Sequence, residues 1–244
     1  MAIYLRGAKL HERQPEWTDS FPFSLPWLRD LELEFRSAVT FFVGENGSGK
    51  STLIEGLAGL MGLPVAGGGR ADLGSSFAPD AQAALAGLLR PIREKRPQDS
   101  YFFRAEHQAH YAALLEARRQ DPDFIGDPYQ SYGGKPLARR SHGEAFMELM
   151  QNRMHSGLFL MDEPESALSP ARQLALLAMM RDRVDNGHSQ FIIATHSPIL
   201  MTYPGAEILS LDDESLTRVP LEETDHYLIT RGVLEHPDRY WQHL

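Results

Sequence analysis

The amino-acid sequence predicts an α/β protein with a mainly parallel sheet flanked by helices. Two apolar runs that suit buried strands, 158–161 and 191–195, alternate with two stretches of helical periodicity, 141–154 and 170–186. This alternation is typical of a parallel sheet, because parallel neighbours are joined by crossover connections. A third apolar run, Val39–Val43, leads into a glycine-rich loop and another helix.

The segments before that loop are predicted to form a small N-terminal antiparallel β edge. Residues 2–10 and 31–36 alternate apolar and polar side chains, and a connection containing Pro and Trp separates them. Residues 62–70 hold too many glycines for regular structure, so we expect a mobile loop there. The other expected elements are a helix over 80–90 that stops at Pro91, a strand over 101–105, a helix over 107–119, a loop over 121–140, strands over 207–211 and 216–219, and a C-terminal helix from residue 224.

Composition and charge limit the class of protein. The 244 residues include 42% hydrophobic and 9% aromatic residues, as in globular proteins, and we find no integral membrane segment. We expect a single domain over 1–244 with a small helical lobe at about 106–150. The chain lacks cysteine and an N-terminal secretory signal, so a cytoplasmic location is expected. The net charge of −9 argues against broad binding of a nucleic-acid backbone, although a local basic patch stays open.

The glycine-rich loop follows the pattern G-x-x-x-x-G-K-S/T between a strand and a helix. Its glycines let backbone N–H groups turn inward, and the positive end of the next helix favours an anion. Lys50 is expected to bind the β- and γ-phosphates of a nucleotide, Ser51 to bind Mg²⁺, and Thr52 to lie near the α-phosphate. A glycine-rich turn that binds nothing is the alternative. The predicted nucleotide-binding residues here are Gly44, Glu45, Asn46, Gly47, Ser48, Gly49, Lys50, Ser51 and Thr52.

Polar side chains follow two of the predicted buried strands. Asp162 and Glu163 come after the first, at the carboxyl end of a parallel strand, where α/β sheets bind ligands. Asp162 is expected to hold Mg²⁺ through water, and Glu163 to polarise the water that attacks the γ-phosphate. His196 follows the second strand and is expected to contact the γ-phosphate. The alternatives are an acidic turn and a surface histidine.

Three motifs together resemble the ATP-binding cassette (ABC) ATPases, over about residues 31–211. The motifs are G-E-N-G-S-G-K-S-T at 44–52, F-L-M-D-E-P-E-S-A-L-S at 159–169 and A-T-H-S at 194–197. The resemblance implies a P-loop NTPase fold, ATP and Mg²⁺ as ligands, a hydrolytic glutamate at Glu163 and a switch histidine at His196. The residues of the second motif are most similar to those of small soluble ATPases of this class, which are relatives of the SMC and RecF lineages.

The family's signature segment lies about one helix before the Asp-Glu strand and contacts the γ-phosphate held by the opposite subunit. Ser141 and Gly143 occupy that place and are the implied contacts across a dimer, whereas His142 and Glu144 depart from the common form. A simple helix N-cap is the alternative. The resemblance implies a two-fold homodimer with ATP at its interface, because one subunit cannot bring its own loop and signature to the same nucleotide.

Three further features of the family are harder to place. Its Q-loop residue, which lies close to the metal, corresponds to Glu106 or Gln108, and Glu106 is taken as a candidate metal ligand. Its D-loop corresponds to 166–169, with Ser169 where Asp is usual. An aromatic side chain stacks on adenine in the family, and the available residues before the loop are Phe21, Phe23 and Trp27.

Several biological roles fit these features. The first is a soluble ATPase whose nucleotide-driven dimerisation acts on an unknown partner. The second is the ATP-binding subunit of a membrane transporter whose membrane domains belong to another chain. A DNA-repair ATPase is the third, although the long coiled-coil arms of SMC proteins are missing and the acidity does not help. A nucleotide kinase fits less well, because the Asp-Glu pair suits water activation.

Overall fold

A seven-stranded sheet forms the centre of the part of the chain that the structure describes. The computed structural model describes residues 3–12, 17–73, 84–130, 134 and 142–242, without the side chains of 71, 107–111 and 142. From edge to edge, the strands are β10 (Thr217–Arg218), β9 (Glu207–Ser210), β3 (Val39–Val43), β8 (Ser189–Ala194), β7 (Gly157–Asp162), β6 (Ser100–Arg104) and β4 (Gly68–Gly69). The strands β9 to β6 in this order pair in parallel, and the short edge strands β10 and β4 pair antiparallel.

The apolar runs in the sequence become the middle of this sheet. Every residue of β3, β7 and β8 is buried, as expected for parallel strands covered on both faces. Alternate side chains enter two separate cores, so that Phe42 and Leu160 lie in one and Phe41 and Phe159 lie in the other. The expected α/β fold is therefore confirmed.

Helices cover both faces of the sheet. Their bounds are α1 (Lys50–Leu60), α2 (Gln108–Gln120), α3 (His142–Arg153), α4 (Pro170–Asp185), α5 (Pro198–Met201), α6 (Asp225–Glu235) and α7 (Pro237–Trp241). On one face, α1 contributes Leu53, Ile54 and Leu57 to the first core. On the other, α3 and α4 contribute Phe146 and Leu176, among others, to the second. The predicted starts or bounds of α1, α2, α3, α4 and α6 agree with the structure to within a few residues, whereas α5 and α7 were not predicted.

A small antiparallel sheet packs on the first core. Its strand order is β2 (Glu32–Glu34), β1 (Leu5–Leu10) and β5 (Leu89–Arg93). The buried amide of Gln190, on β8, joins the two sheets: its Oε1 accepts from the backbone N–H groups of Tyr4 (2.9 Å) and Leu5 (3.0 Å). The predicted antiparallel edge is confirmed and gains a third strand.

Two predicted elements are wrong. Residues 84–88 form turns and 89–93 form β5, where a helix over 80–90 was expected; residues 80–83 lie outside the described part. Pairing with distant β1 overrides the helix propensity of the Ala and Leu residues, and Pro91 is tolerated because β5 is an edge strand. The loop expected over 62–70 contains β4, whose two buried glycines pair with β6. The loop over 121–140 is confirmed for 121–130, while 131–133 and 135–140 lie outside the described residues.

Candidate active site

The site is assembled at the carboxyl ends of three neighbouring strands. The glycine-rich loop follows β3, Asp162 ends β7 with Glu163 next to it, and His196 lies two residues beyond β8. In the sheet, Ala194 pairs with Phe42 on one side and with Asp162 on the other, so these three chain segments are adjacent. The predicted side chains therefore lie along one edge of the sheet, as the strand order requires.

The glycine-rich loop has the backbone that its sequence predicts. Gly44, Gly47 and Gly49 have φ angles of 148°, 85° and 95°, which side chains with a Cβ rarely adopt. Below the loop, the Lys50 ammonium donates to the carbonyl oxygens of Gly44 (2.7 Å) and Glu45 (2.9 Å). Burial lowers the pKa of Lys50, and the carboxylates of Glu163, Asp212, Asp162 and Glu45 oppose that shift. The cation is thus held under the loop, where phosphate oxygens can replace the carbonyls.

One side of the site is suited to a metal ion, and we call it the metal side: Ser51, Asp162 and Arg104. The Ser51 hydroxyl donates to Asp162 Oδ1 (3.1 Å), and the Arg104 Nε lies 3.5 Å from Asp162 Oδ2. Burial raises the pKa of Asp162 to about 6, while Arg104 and then Ser51 lower it. A hydroxyl and a carboxylate that converge are the hard oxygen ligands that Mg²⁺ takes, with phosphates and water completing its shell. The residues present therefore fit Mg²⁺.

Arg104 is a residue of the metal side that the sequence analysis missed. Its guanidinium contacts Glu55 (2.6 Å) and Glu106 (3.6 Å) as well as Asp162, and its side chain is only 13% exposed. In the sequence, the sign of its role was a single cation at the end of an aromatic strand. In the structure, Arg104 lies opposite Asp162 in the parallel register of β6 and β7. The Glu106 carboxylate is 78% exposed and meets the Arg104 guanidinium. A direct metal contact by Glu106 stays a prediction, and the side chain of Gln108 lies outside the described residues.

The opposite side of the site, which we call the water side, consists of Glu163, His196 and His226. Glu163 has φ 47° and ψ 54°, a left-handed conformation uncommon outside glycine, asparagine and aspartate. Its backbone N–H donates to the carbonyl of Ala194 (2.9 Å) and its carbonyl accepts from the Ser166 hydroxyl (2.8 Å). The side chain lies 3.6 Å from His196 Nε2 and is 41% exposed. This left-handed residue follows directly after β7, and its side chain lies beside the His196 ring.

His196 is fixed by two groups that sequence reasoning missed. Its backbone N–H donates to Glu165 Oε1 (2.6 Å), and its ring Nδ1 shares a hydrogen bond of 2.8 Å with His226 Nε2 on α6. Burial lowers the pKa of His196, and Lys50 and His226 add to that shift. Burial therefore favours the neutral form of the ring. Glu165 could have been found from the sequence, because it is the second Glu of the D-E-P-E motif. His226 could not, because only the folded chain brings it beside His196.

A cleft of about 450 Å³ opens beside the glycine-rich loop, and its lining includes Phe21, Lys50, Ser51, Thr52 and Glu163. The three aromatic candidates for adenine are not equivalent in the structure. Trp27 is buried and its indole N–H donates to the carbonyl of Ser48 (2.7 Å), whereas Phe23 packs edge-on against Trp17 at 5.1 Å. Phe21 is 59% exposed at the mouth of the cleft. Of the three, Phe21 alone is among the residues that line the cleft.

Asp212 braces the far end of the loop and was also missed. It follows β9, and its Oδ1 accepts from the backbone N–H of Glu45 (2.6 Å) while its Oδ2 accepts from the Ser210 hydroxyl (3.0 Å). A Cβ on Gly44 would lie 2.8 Å from the same carboxylate oxygen. This contact explains why the loop begins with glycine. No local pattern pointed to it, because β9 pairs with β3 across a long stretch of sequence.

The candidate signature is only partly within the described residues. Ser141 lies outside them, and Gly143 stands in the first turn of α3. A Cβ on Gly143 would lie 2.3 Å from Arg172 Nη1 and 2.8 Å from the carbonyl of Ala167. The glycine is therefore needed for close packing of α3 on the D-loop segment and α4. Glu144, the departure from the family form, lies 3.8 Å from the Arg172 guanidinium.

Known proteins match the chain in sequence and in structure. Residues 20–100 match an AAA domain, and residues 109–202 match a second AAA domain model whose description refers to the AbiEii toxin of a type IV TA system. The hemin import ATP-binding protein HmuV of Enterobacter cloacae is 25% identical over 195 residues, which cover 75% of this chain and 74% of that protein. The cobalt import ATP-binding protein CbiO of Salmonella typhi is 27% identical over 185 residues, covering 70% of this chain and 66% of CbiO.

Solved structures show the same fold. CbiO1 of Clostridium perfringens, part of the ABC transporter complex cbiONQ, has a TM-score of 0.51 at 15% identity and covers 97% of this chain and 98% of its own. An SmcHead bound to the C-winged helix domain of ScpA has a TM-score of 0.50 at 12% identity, covering 91% and 99%. No helix within the described residues is long and apolar enough to span a membrane.

The fold and the site define a P-loop ATPase. Together with the two AAA domain matches and the ABC ATP-binding relatives, they show that the chain belongs to the AAA/ABC-type P-loop ATPases, whose members hydrolyse ATP.

Proposed function

We propose that the protein is a soluble, cytoplasmic ABC-type ATPase that binds MgATP in the cleft and hydrolyses it within a homodimer. The observation that carries this proposal is the convergence of Lys50, Ser51, Asp162, Glu163 and His196 on one edge of the sheet. A single ATPase domain over residues 1–244, with a helical lobe at about 106–150, is part of the proposal.

The cis half of the site would bind the nucleotide. Backbone N–H groups of the loop and the amino end of α1 would bind the phosphates, and Lys50 would exchange its bonds to Gly44 and Glu45 for phosphate oxygens. Ser51 and Asp162 would hold Mg²⁺, which when bound neutralises charge that develops on the phosphate oxygens. Phe21 would stack on the adenine at the mouth of the cleft.

Glu163 would act on the attacking water. Its carboxylate lies in the cleft and is near His196 Nε2, so it can accept a hydrogen bond from a water placed opposite the γ-phosphate. His196 would donate from Nε2 toward the γ-phosphate or Glu163, because burial favours its neutral form and its Nδ1 is already engaged with His226. Glu165 fixes the backbone of His196 and so keeps the ring in place.

A second copy would complete the site. Gly143 packs on Ala167 and Arg172, so the start of α3 is held beside the D-loop segment. In a two-fold dimer, Ser141 and Gly143 of one subunit would contact the γ-phosphate bound by the loop of the other. The same surface on both subunits then forms the interface, as two-fold symmetry requires.

Light scattering of Glu163→Gln with and without MgATP tests this proposal, because the variant retains nucleotide at the interface. We expect a monomer without nucleotide and a dimer with it. Ser141→Arg in the same background adds bulk at the trans contact and should keep the protein monomeric while it still binds ATP. The matched control is Asn186→Arg. It adds the same charge between α4 and β8, at the amino ends of the parallel strands, whereas the site lies at their carboxyl ends. A monomer of Glu163→Gln at saturating MgATP and tens of micromolar protein would contradict the homodimer.

The names of the relatives favour a second candidate, the ATP-binding subunit of a membrane transporter. HmuV and CbiO are import ATP-binding proteins, whereas the description of the second AAA domain model refers to a toxin of a type IV TA system. Co-expression with the proteins encoded next to this chain separates the candidates. ATP turnover that rises only in membranes containing a neighbouring permease would favour the transporter, whereas stimulation by DNA would favour a repair role.

A further inference from the structure

We propose that His226, at the start of helix α6, is a positioning residue that sets which tautomer His196 presents to Glu163 and to the γ-phosphate. This inference rests on the proposed function, since it concerns the role of His196. It is based on the hydrogen bond between the two rings, in which His196 Nδ1 and His226 Nε2 are 2.8 Å apart. The ring centroids are 5.0 Å apart with a tilt of 50°, so the two rings meet through their nitrogen atoms and are not stacked face to face.

The geometry has a consequence for the proton on His196. A neutral imidazole carries one N–H, so its two nitrogens are a donor and an acceptor. When His226 Nε2 donates, His196 Nδ1 accepts and the His196 proton lies on Nε2. That N–H then faces the Glu163 carboxylate, whose Oε1 is 3.6 Å away. The opposite arrangement would place a bare nitrogen lone pair against a carboxylate, which is unfavourable.

His196 Nε2 is the atom for which the tautomer matters. It is buried and has no hydrogen-bond partner among the described residues. A buried N–H without a partner is costly, so a donor beside Glu163, which lines the cleft, indicates an acceptor that arrives with the ligand. The γ-phosphate of ATP is such an acceptor. His226 would therefore keep the switch histidine in its donating form before the nucleotide binds.

The placement of His226 depends on how α6 begins. Thr224 caps the helix by accepting from the backbone N–H of Tyr227, and His226 is the second helical residue. The ring of His226 is half-buried, whereas the rest of α6 is mostly exposed. The helix start is thus anchored at the site, and the tautomer of His196 is coupled to the docking of a segment about 30 residues further along the chain.

Two substitutions separate a tautomer effect from simple packing. His226→Gln keeps an N–H donor near the position of Nε2, whereas His226→Leu keeps bulk and removes the donor. We expect His226→Leu to lower kcat for ATP about tenfold or more with a small change in KM, and His226→Gln to recover most of kcat. The matched control is His236→Leu, because His236 is exposed beyond the end of α6; it should retain the parent kcat.

NMR of the full chain labelled with ¹⁵N-histidine provides a second readout that does not depend on turnover. The ring nitrogens of His196, assigned with His196→Ala, should show protonation at Nε2 in the parent and in His226→Gln, and a mixture of tautomers in His226→Leu. An unchanged tautomer in His226→Leu would overturn the proposal. A loss of kcat that His226→Gln does not recover would assign His226 a packing role and overturn it as well. Absence of ATP turnover in the parent would instead overturn the proposed function, while the tautomer measurement still decides the positioning role.

Discussion

Asp162 and Glu163 are neighbours in the chain, yet the metal side and the water side that they belong to are built differently. The Asp162 side chain is 7% exposed and lies within the sheet, opposite Arg104 and hydrogen-bonded to Ser51. The Glu163 side chain is 41% exposed on a left-handed residue just beyond the strand. One residue is positioned by strand register, the other by a loop and its contacts.

This difference assigns different physical roles to the two carboxylates. Burial disfavours the charge on Asp162, so a cation must be close for it to ionise, and Arg104 supplies one in the absence of metal. Glu163 keeps access to water, as a residue that polarises water requires. The water side also draws on His226 from α6, so its geometry depends on a late segment of the chain.

The largest effect is expected on the water side, from Glu163→Gln. The change keeps the shape of the side chain and removes the carboxylate that polarises water, so turnover should fall by about 10² to 10⁴. ATP affinity should change little, because the phosphate contacts come from the loop. Steady-state ATPase assays and calorimetry measure the two quantities, with exposed Glu222→Gln as the control. Hydrolysis by Glu163→Gln at the parent rate would mean that the base lies elsewhere.

A pH scan of stability tests the metal side. The folded-state pKa of Asp162 is raised to about 6 from 3.8. Its contribution to the free energy of unfolding is therefore fully present below about pH 4 and is lost as the pH rises through about 6, by at most about 3 kcal/mol. Asp162→Asn cannot ionise and escapes this loss. Without Mg²⁺, the Tm of the variant relative to the parent should rise between pH 4.5 and pH 7.5.

The control for this scan is Asp123→Asn, on an exposed loop. Its Tm difference from the parent should stay flat over the same range. A flat difference for Asp162→Asn as well would show that Arg104 compensates the buried charge in full, and would remove the electrostatic contrast between the two carboxylates.

Local sequence patterns predicted those parts of the site that need no pairing between distant segments. The glycine-rich loop needs only its own glycines and the flanking elements, and Asp162, Glu163 and His196 follow from apolar runs that end in polar residues. Arg104, Asp212 and His226 were missed because each reaches the site through pairing or packing of segments distant in sequence. The helix over 80–90 failed for the same reason, since Leu89 pairs with Leu10.

Lys50→Ala tests the part of the site that both sides share. The ammonium is expected to make charge-assisted contacts with the β- and γ-phosphates worth roughly 1.5 to 3 kcal/mol, so ATP affinity should fall at least tenfold. Calorimetry of MgATP binding measures the change. Lys95→Ala, whose ammonium lies over the Tyr4 ring away from the loop, is the control and should bind as the parent does. An unchanged affinity of Lys50→Ala for MgATP would contradict the assignment of this loop as the phosphate-binding loop.

The smallest effect is expected at the mouth of the cleft, from Phe21→Ala. Stacking of an aromatic ring on adenine contributes about 1 kcal/mol, so ATP affinity should fall roughly fivefold with kcat nearly unchanged, and Phe21→Tyr should restore affinity. Phe124→Ala is the matched control, because Phe124 is also partly exposed but packs against the Arg118 guanidinium, away from the loop. Titration with ATP and with Mg-triphosphate separates binding of the base from binding of the phosphates. Phe21→Ala should lower the affinity for ATP and leave the affinity for Mg-triphosphate unchanged. An equal loss for both ligands would mean that Phe21 shapes the loop and does not hold the base, and the base would then lie against another wall of the cleft.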